Sequence, residues 1–351
     1  MQNFMGVDVG GTTTTLCVGN DRHEVLHITK QFPTRSEQGP QAAVRTIVEQ
    51  AAATMQTLGG SIDDVEAVGL ATPGPATLDG VLKKTPNLDP QKWDRFPIRA
   101  ELETAFQSRR AGIRVRYIGD GQAAALGEFA VRSRSMTWNR AAAPATDEPL
   151  SSLFMVIVGT GLGGGAVQQG RVVRGRDGKA GHAGHITLPV HAFRHDHDRQ
   201  LLVGNAYCTA ESAISLTGLT HQLQYRLSLD RWQNHMLRHA EGSARDKAKL
   251  LRGLADEGDE LALELFDDQA RALGIALLNV NYLGDYDLLV IGGGVCDLAA
   301  QVRERYLREV VESYRRHALD GFRNVVDIEF STCGDDAPVI GALTFVAANP
   351  S

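Results

Sequence analysis

Three glycine-rich turns, each beside a short apolar run, constrain the fold of this 351-residue chain more than any other feature. They occupy residues 10–11, 159–165 and 292–294. The second turn has five glycines in seven residues, which costs backbone entropy unless another group must approach the backbone closely. The three turns together predict a ligand-binding arrangement more strongly than any one of them does.

The runs around these turns predict an α/β fold. Residues 4–9 and 13–18 predict a hairpin across the first turn, and residues 154–158 with a strand from Ala166 onward repeat it across the second. Further strand patterns lie at residues 25–29, 65–71, 113–118, 287–291 and 326–330; helical patterns lie at 41–58, 122–131, 222–260, 261–283 and 339–348. Strands that alternate with helices are typical of α/β proteins. The polar, aperiodic residues 134–150 predict a surface loop.

Charge and composition argue against nucleic acid and membranes as partners. The net charge of -6 comes from mixed signs, without a basic run that would follow a phosphate backbone. The first residues do not have the pattern of a signal peptide, and no stretch approaches the roughly 20 apolar residues of a membrane span. The four cysteines lie far apart and form no CxxC pair. We therefore expect a cytoplasmic protein with reduced thiols.

The first glycine turn has the chemistry that binds phosphate. Backbone N–H groups can meet a phosphate where no Cβ blocks the approach, and Gly10 and Gly11 leave the backbone open. Thr12 and Thr13 add hydroxyl donors, and Asp8 carries a carboxylate that can hold water around Mg²⁺. Taken alone, this pattern more often marks a simple hairpin turn.

The second and third turns extend the same chemistry. The second contains Gly159, Thr160 and Gly161; the third consists of Gly292, Gly293 and Gly294. The third follows a buried strand and can accommodate a flat adenine or ribose at the start of a helix. No turn ends in the Gly-Lys-Ser/Thr of a P-loop, and the GxGxxG of the second lies between two strands instead of between a strand and a helix.

A series of motifs in fixed order covers nearly the whole chain. They are DVGGTTT from Asp8, ATPGP from Ala71, Asn87-Leu88 followed by Trp93, GDGQAAALGE from Gly119, VGTGLGGGAVQQGRVVRG from Val158, AGHAGH from Ala180, VIGGGV from Val290 and GDDAPVIGA from Gly334. In the order and spacing of these motifs the chain resembles the ROK family of sugar kinases and related repressors. The resemblance implies a two-lobed actin-like ATPase (ribonuclease H-like) fold with a central nucleotide and sugar cleft. It places residues 1–119 plus about 335–351 in a small lobe and residues 120–334 in a large lobe.

The same resemblance implies the ligands. ATP and Mg²⁺ are the expected cofactors, with the first two turns at the phosphates and the third at the adenosine. A sugar is the expected substrate and a homodimer or higher homo-oligomer the expected assembly. The implied sugar-binding residues are Gly74, Asn87, His182, His185 and Glu211.

Asp120 is the candidate catalytic base. It follows an apolar strand and precedes a helix, where α/β sheets present ligand-binding groups. Its position alone favours a helix N-cap. In the resemblance it corresponds to the catalytic base, which would accept a proton from the sugar hydroxyl. For Glu128, two turns farther along, a solvated position or packing between helices is the expected role.

The chain departs from the family pattern at the sugar side. The family's Asn-Asp pair is Gly119-Asp120 here, and the glutamate of its Gly-Glu-x-Gly-His block is His182. The cysteine-rich zinc loop is absent, with Leu202, Gly204 and Thr209 in place of thiolates, so we expect no zinc site. His185 then remains as a lone former ligand that shapes the sugar pocket. The run from His191 to Asp198 suggests another metal site or, as its polar character favours, a solvated loop.

These residues favour ATP-dependent phosphorylation of a hexose or related sugar other than plain glucose, because an unpaired polar group changes sugar preference. Two alternatives remain open. One is a non-catalytic sugar-sensing regulator, although the hairpin begins at Phe4 and we expect no helix-turn-helix before it. The other is an inactive kinase-like protein, as Gly119 and His182 suggest.

Overall fold

The computed structural model describes residues 2–83, 85, 88–138, 150–322 and 327–348. Contacts divide the chain into two compact units. The first comprises Met1–Leu153, Gly165–Gly181 and Thr332–Ser351; the second comprises Phe154–Gly164 and His182–Ser331.

A six-stranded sheet forms the centre of the first unit. Its strands are β1 (Asn3–Val9), β2 (Thr13–Asn20), β3 (Val25–Ile28), β4 (Phe32–Pro33), β5 (Val65–Thr72) and β6 (Arg114–Gly119). The order is β3-β2-β1-β5-β6, with β4 also paired to β2. Strand β1 is antiparallel to β2 and parallel to β5, which is parallel to β6. The carboxyl ends of β1, β5 and β6 therefore meet at one edge of the sheet, where such sheets bind ligands.

Five helices belong to the first unit. They are α1 (Pro40–Thr57), α2 (Pro90–Trp93), α3 (Ile98–Gln107), α4 (Asp120–Arg132) and α11 (Ala337–Ala347). In α1 the apolar side chains recur at helical spacing, so Ala43, Ile47, Ala51 and Met55 form a buried stripe. The residues of α11 are themselves apolar around nearly the whole circumference of the helix, which is typical of a buried helix.

Helix α11 packs on α4 and on strands β1 and β5. Two glycines allow α4 and α11 to approach each other closely. A Cβ on Gly127 would overlap the carbonyl oxygen of Ala337, and a Cβ on Gly341 would overlap that of Ala123. The two backbones therefore touch without intervening side chains. This packing fixes the first turn of α4, which begins at Asp120, within the first unit.

The second sheet has the strand order β11-β10-β7-β8-β9. Its strands are β7 (Ser152–Val158), β8 (Leu162–Gln168), β9 (Arg171–Val172), β10 (Leu288–Gly293) and β11 (Asp327–Phe330). The division between the units falls within β7 and β8. The helices of the second unit are α5 (Ala210–Ile214), α6 (Leu216–Ser228), α7 (Met236–His239), α8 (Ala244–Asp256), α9 (Glu260–Gly284) and α10 (Ala300–His317).

Most predicted strands and helices begin and end within two residues of the observed bounds. Two predictions were wrong in extent. Strand β8 was predicted to begin at Ala166 but begins at Leu162, because the glycines between these two residues already have extended, paired backbone. The charged stretch 222–260 is not one helix, since Ser215 caps the start of α6 and Ser243 starts α8 with a capping box. Of the predicted loop 134–150, residues 139–149 lie outside the described residues.

The predicted lobe boundary at residue 119 differs from these contact units at α4. Because α4 packs on α11, the contact division keeps residues 120–153 with the first unit. The lobes themselves remain a prediction about which parts move together. Within the described ranges, no helix combines the length and apolar character needed to cross a membrane.

Candidate active site

The first glycine turn is held by its own hydrogen bonds. The Gly10 N–H donates to the Thr13 carbonyl at 2.8 Å, which closes the β1–β2 turn. Thr34 fixes it from outside: its hydroxyl donates to the Gly10 carbonyl at 2.9 Å and its N–H donates to the Thr12 carbonyl at 2.8 Å. Gly11 is partly exposed and Thr12 is exposed at the tip of the turn. The predicted phosphate contacts Gly10 to Thr13 are thus on one rigid turn.

Three carboxylates influence one another at the carboxyl edge of the first sheet. Asp8 lies in β1 opposite Ala71 of β5, and Asp120 follows β6 directly. Asp335 stands just before α11. Burial, and after it the negative charges of Asp120 and Asp335, together raise the pKa of Asp8 to about 7. The sequence motif that contains Asp335 was recognised, but its part in this group was missed.

Asp120 is the first residue of α4, and the N-cap position belongs to Gly119. The alternative that Asp120 is the helix N-cap was therefore wrong. One carboxylate oxygen of Asp120 accepts a hydrogen bond from the Gly121 N–H at 2.7 Å. The side chain is only partly buried, and its negative charge at a helix N-terminus is favourable.

Glu128 is completely buried, which excludes the expected solvated position and leaves helix packing. Its oxygens accept hydrogen bonds from the N–H groups of Thr332 at 2.7 Å and Cys333 at 3.0 Å. It also forms an ion pair with Arg132 at 2.7 Å. Burial alone would raise the pKa of Glu128, but the Arg132 charge and these hydrogen bonds lower it. Glu128 thereby fixes the segment that leads to Asp335.

One of the predicted sugar contacts, Gly74, belongs to the first unit. Gly74 follows β5 at the same sheet edge, and a Cβ built on it would meet nothing within 4 Å. Asn87 lies outside the described residues.

The second glycine turn joins β7 to β8, as predicted. The Gly159 N–H donates to the Gly161 carbonyl at 3.0 Å. The Thr160 hydroxyl accepts a hydrogen bond from the Arg245 guanidinium at 3.0 Å, and the first residue of α6, Leu216, donates to the Gly159 carbonyl at 2.9 Å. The turn is therefore fixed to helices α6 and α8.

Glu211 contacts this same turn. Its carboxylate accepts a hydrogen bond from the Leu162 N–H at 2.8 Å, and a Cβ on Gly161 would lie 2.7 Å from that oxygen. The absence of a side chain on Gly161 allows this close approach of Glu211. The carboxylate holds the turn in place, a role that the sequence did not indicate, while its contact with a sugar stays a prediction.

The third turn packs closely on β7. A Cβ on Gly292 would overlap the Met155 side chain, and Gly293 has a φ of 81° with the Val158 backbone beside it. Gly293 is therefore required by its backbone conformation and packing, whereas at Gly292 the end of the Met155 side chain could move aside. Gly294 instead lines an open cavity.

A cavity of about 350 Å³ lies between the second and third turns. Its lining residues are Val158, Gly159, Thr160, Leu216, Leu219, Ala248, Lys249, Arg252, Phe266, Gln269, Gly294 and Val295. The structure therefore brings together two of the three predicted turns within one unit. A wall of apolar side chains with a few polar groups is typical of small-molecule sites.

Helix α8 contributes cationic groups that the sequence reading missed. Lys249 and Arg252 line the cavity, and Arg245 bonds to Thr160 one turn earlier. Their spacing of four and then three residues places all three on one helical face. That spacing within the charged stretch 222–260 was the available signal.

The two histidines of the AGHAGH block lie side by side and are exposed. The rings of His182 and His185 are nearly parallel, with centroids 6.2 Å apart. Between them Gly184 packs on Leu162, which a Cβ would prevent.

The prediction of a solvated loop from His191 to Asp198 was wrong. Asp198 is buried and accepts two hydrogen bonds at 2.9 Å from the fully buried Arg226 guanidinium. Arg226 also pairs with Asp268 at 3.2 Å. His197 stacks on His221, with ring centroids 4.1 Å apart. A buried ion pair and ring stacking, which the polar composition conceals, anchor this segment.

In the part of the chain that the structure describes, no three or more His, Cys, Asp or Glu side chains are grouped so as to hold a metal ion. Any Mg²⁺ beside Asp8 would therefore take most of its ligands from water and substrate oxygens, as Mg²⁺ usually does.

Comparison with known proteins places these features in a family. The ROK family model matches residues 4–349. A glucokinase from Halalkalibacterium halodurans is 27% identical over 345 residues, which cover 96% of this chain and 93% of that protein. An N-acetyl-D-glucosamine kinase from Vibrio parahaemolyticus is 27% identical over 294 residues, which cover 83% of this chain and 84% of that protein.

A solved structure gives the same result. The ROK hexokinase from Thermus thermophilus is 28% identical, with a TM-score of 0.74 and coverage of 97% of both chains. The predicted α/β actin-like ATPase fold is confirmed. The chain belongs to the ROK family.

Proposed function

We propose that this protein transfers the γ-phosphoryl group of Mg-ATP to a hydroxyl of a hexose or related sugar, with Asp120 as the general base. The relatives are glucokinases and N-acetylglucosamine kinases, and they support the coarser statement that this chain is an ATP-dependent sugar kinase. The observation that carries the finer proposal is the group of Asp8, Asp120 and Asp335, in which burial and then the two neighbouring charges raise the pKa of Asp8.

Asp120 has the position that a base requires. It stands at the beginning of α4, directly beyond the carboxyl end of β6. In the proposed step the hydroxyl oxygen attacks the γ-phosphorus, its proton passes to an Asp120 oxygen, and ADP leaves. The transferred group needs mainly positioning and charge stabilisation, so this carboxylate orients the hydroxyl as well as accepting its proton.

The carboxylate group also fits Mg²⁺. When bound, the ion neutralises charge on the phosphates and polarises the transferred group. Asp8 would hold water of its hydration shell, and Asp335 adds negative charge nearby. Their mutual repulsion in the free protein is what a divalent cation would relieve.

The donor nucleotide would use the glycine turns. The backbone at Gly10 and Gly11 and at Gly159 to Gly161 would cradle the phosphates, helped by the Thr12, Thr13 and Thr160 hydroxyls. The adenosine would occupy the cavity beside Gly294, where Lys249 and Arg252 supply polar contacts at its rim.

The sugar contacts, the location and the assembly are also proposals. Gly74, Asn87, His182, His185 and Glu211 would contact the sugar. The resemblance to the family supports a cytoplasmic location and a homodimer or higher homo-oligomer. Light scattering of the purified protein would measure the size of the assembly.

The test is ADP production with Mg-ATP across hexoses, N-acetylhexosamines and polyols, with the Asp120→Asn variant as the control. We expect sugar-dependent turnover that is lost in the variant. ATP binding without turnover on any sugar would contradict the kinase proposal and favour the inactive protein. Sugar binding without ATP binding would favour the sensing regulator.

A further inference from the structure

The first turn of α4 contains a second polar side chain that the proposed mechanism does not use. Gln122 lies two residues after Asp120 and is only 4% exposed. Its amide oxygen is buried and has no hydrogen-bond partner among the described residues. A buried acceptor without a partner destabilises a fold, so such an atom indicates a ligand or an ordered water.

The orientation of this amide is fixed by its partners. The Gln122 amide nitrogen donates to the carbonyl oxygens of Gly178 at 3.2 Å and Ala180 at 3.1 Å. Carbonyl oxygens only accept hydrogen bonds, so the nitrogen must face them and the two amide atoms do not exchange places. The amide oxygen is therefore an acceptor aimed away from these carbonyls.

The amide borders the space beside Gly119. A Cβ built on Gly119 would have the Gln122 amide oxygen as its nearest non-neighbouring heavy atom, at 3.8 Å. Gly119 has extended backbone with a φ of -70°, which any residue adopts. The glycine is thus not required by its backbone, and it leaves space next to Asp120.

The backbone of Gln122 is rigidly placed. A Cβ on Gly165 of β8 would overlap the Gly121 carbonyl and lie 2.8 Å from the Gln122 Cα. The strand and the helix therefore touch at this point. An acceptor on so fixed a backbone is organised before any ligand binds.

We propose that the Gln122 amide oxygen accepts a hydrogen bond from a substrate hydroxyl next to the one that Asp120 deprotonates, through the space that Gly119 leaves open. The proposal deepens the sugar-kinase function and rests on it. Gln122 is then a specificity-determining residue, which selects sugars with a hydroxyl beside the phosphorylated one. A site built to pair a hydroxyl rejects analogues that lack it, because its own polar group stays unpaired.

The experiment is a cycle of enzyme and substrate changes. Wild-type protein and Gln122→Met are compared on the best of D-glucose, D-mannose and N-acetyl-D-glucosamine and on monodeoxy analogues of that sugar. For one analogue we expect wild-type kcat/KM to fall about tenfold to hundredfold, because one hydrogen bond to the sugar is lost. In Gln122→Met the same analogue should differ from its parent by less than about threefold, since the acceptor is already gone.

Gln222→Met is the matched control. Gln222 is also buried, donates to a carbonyl and has an unpaired amide oxygen, but it lies in α6. The Gln222→Met substitution should lower activity on the parent sugar and on every analogue by the same factor. Gly119→Ala, which fills the space without an acceptor, should weaken the parent sugar more than the deoxy analogue.

The outcomes separate this inference from the proposed function. An analogue penalty that is unchanged in Gln122→Met would overturn the inference while leaving the kinase intact. If the wild type turned over no sugar, the kinase proposal would fail, and calorimetric binding of the same sugars would decide the role of Gln122. Equal losses on all sugars in Gln122→Met would show that it only holds residues 178–180.

Discussion

Two groups of charged side chains, one in each unit, are built on opposite principles. Around Arg226 each carboxylate has a cation: Asp198 and Asp268 both pair with the guanidinium, and Arg194 adds a second cation at 2.7 Å from Asp268. Around Asp8 the neighbouring charges are carboxylates, and burial and repulsion raise its pKa to about 7. The neutralised group anchors the fold, whereas we propose the repelling group as the place where a cation binds and the reaction occurs.

The strongest test of the neutralised group is Arg226→Met. Removal of the guanidinium leaves the buried Asp198 without its cation, while Asp268 keeps Arg194. We therefore expect the free energy of unfolding to fall by about 3–5 kcal/mol. Urea denaturation measures it. Arg231→Met is the control, since its pair with Glu264 at 3.2 Å involves an arginine that is 62% exposed and should contribute at most about 1 kcal/mol. Equal losses for both variants would remove the distinction.

In the carboxylate group around Asp8, we expect removal of one charge to stabilise the protein, whereas removal of Arg226 destabilises it. The pKa of Asp8 is raised from 3.8 to about 7, so its stabilising influence is present below pH 4 and is lost as the pH rises through 7. Asp8→Asn should therefore be more stable than the wild type by about 1–3 kcal/mol at pH 8 and nearly equal to it at pH 4, because each pKa unit corresponds to about 1.4 kcal/mol before solvent screening.

Thermal or urea unfolding across this pH range measures the difference between the two proteins. Asp21→Asn, an exposed aspartate of the same unit, is the control and should show no such trend. A wild type that gains stability relative to Asp8→Asn as the pH rises would contradict the assignment.

A smaller effect is expected at the cavity of the second unit. Lys249→Met should raise the KM for ATP about threefold to fivefold without changing kcat or the KM for the sugar, because an exposed charge contributes under about 1 kcal/mol. Lys247→Met is matched to it, since it lies on the same helix but lines a different cavity. Steady-state kinetics with varied ATP measures both. Identical KM values for both variants would argue against adenosine in this cavity.

The sequence predicts what depends on local pattern. The hairpins around residues 10–11 and 159–161 follow from β-rich runs joined by glycines, and helices α1, α4, α9 and α11 match predicted helical patterns. The position of Asp120 beyond the end of a strand was predicted, whereas the strand order that brings Asp8 to the same edge was not. Motif order then identified the family before any contact was visible.

What the sequence did not reveal depends on partners far along the chain. Glu128 is buried because it bonds to N–H groups 204 and 205 residues away. The segment around Asp198 looks solvated because its cation, Arg226, belongs to a helix 28 residues later. The sequence does not distinguish Gln122, because only the structure shows that its amide nitrogen is paired while its amide oxygen has no hydrogen-bond partner among the described residues. A polar residue that looks solvated in the sequence can therefore have a structural or functional role when its partner lies far along the chain.

If Asp120 is the general base of phosphoryl transfer, replacing its carboxylate with an amide in Asp120→Asn should stop turnover without preventing ligand binding. The measurement is kcat on the best sugar, with ATP and sugar binding determined on the same preparations. We predict that the variant binds both ligands within about threefold of wild type while kcat falls by about 100- to 10,000-fold, the range of general-base catalysis. Turnover by Asp120→Asn at the wild-type rate would contradict the account.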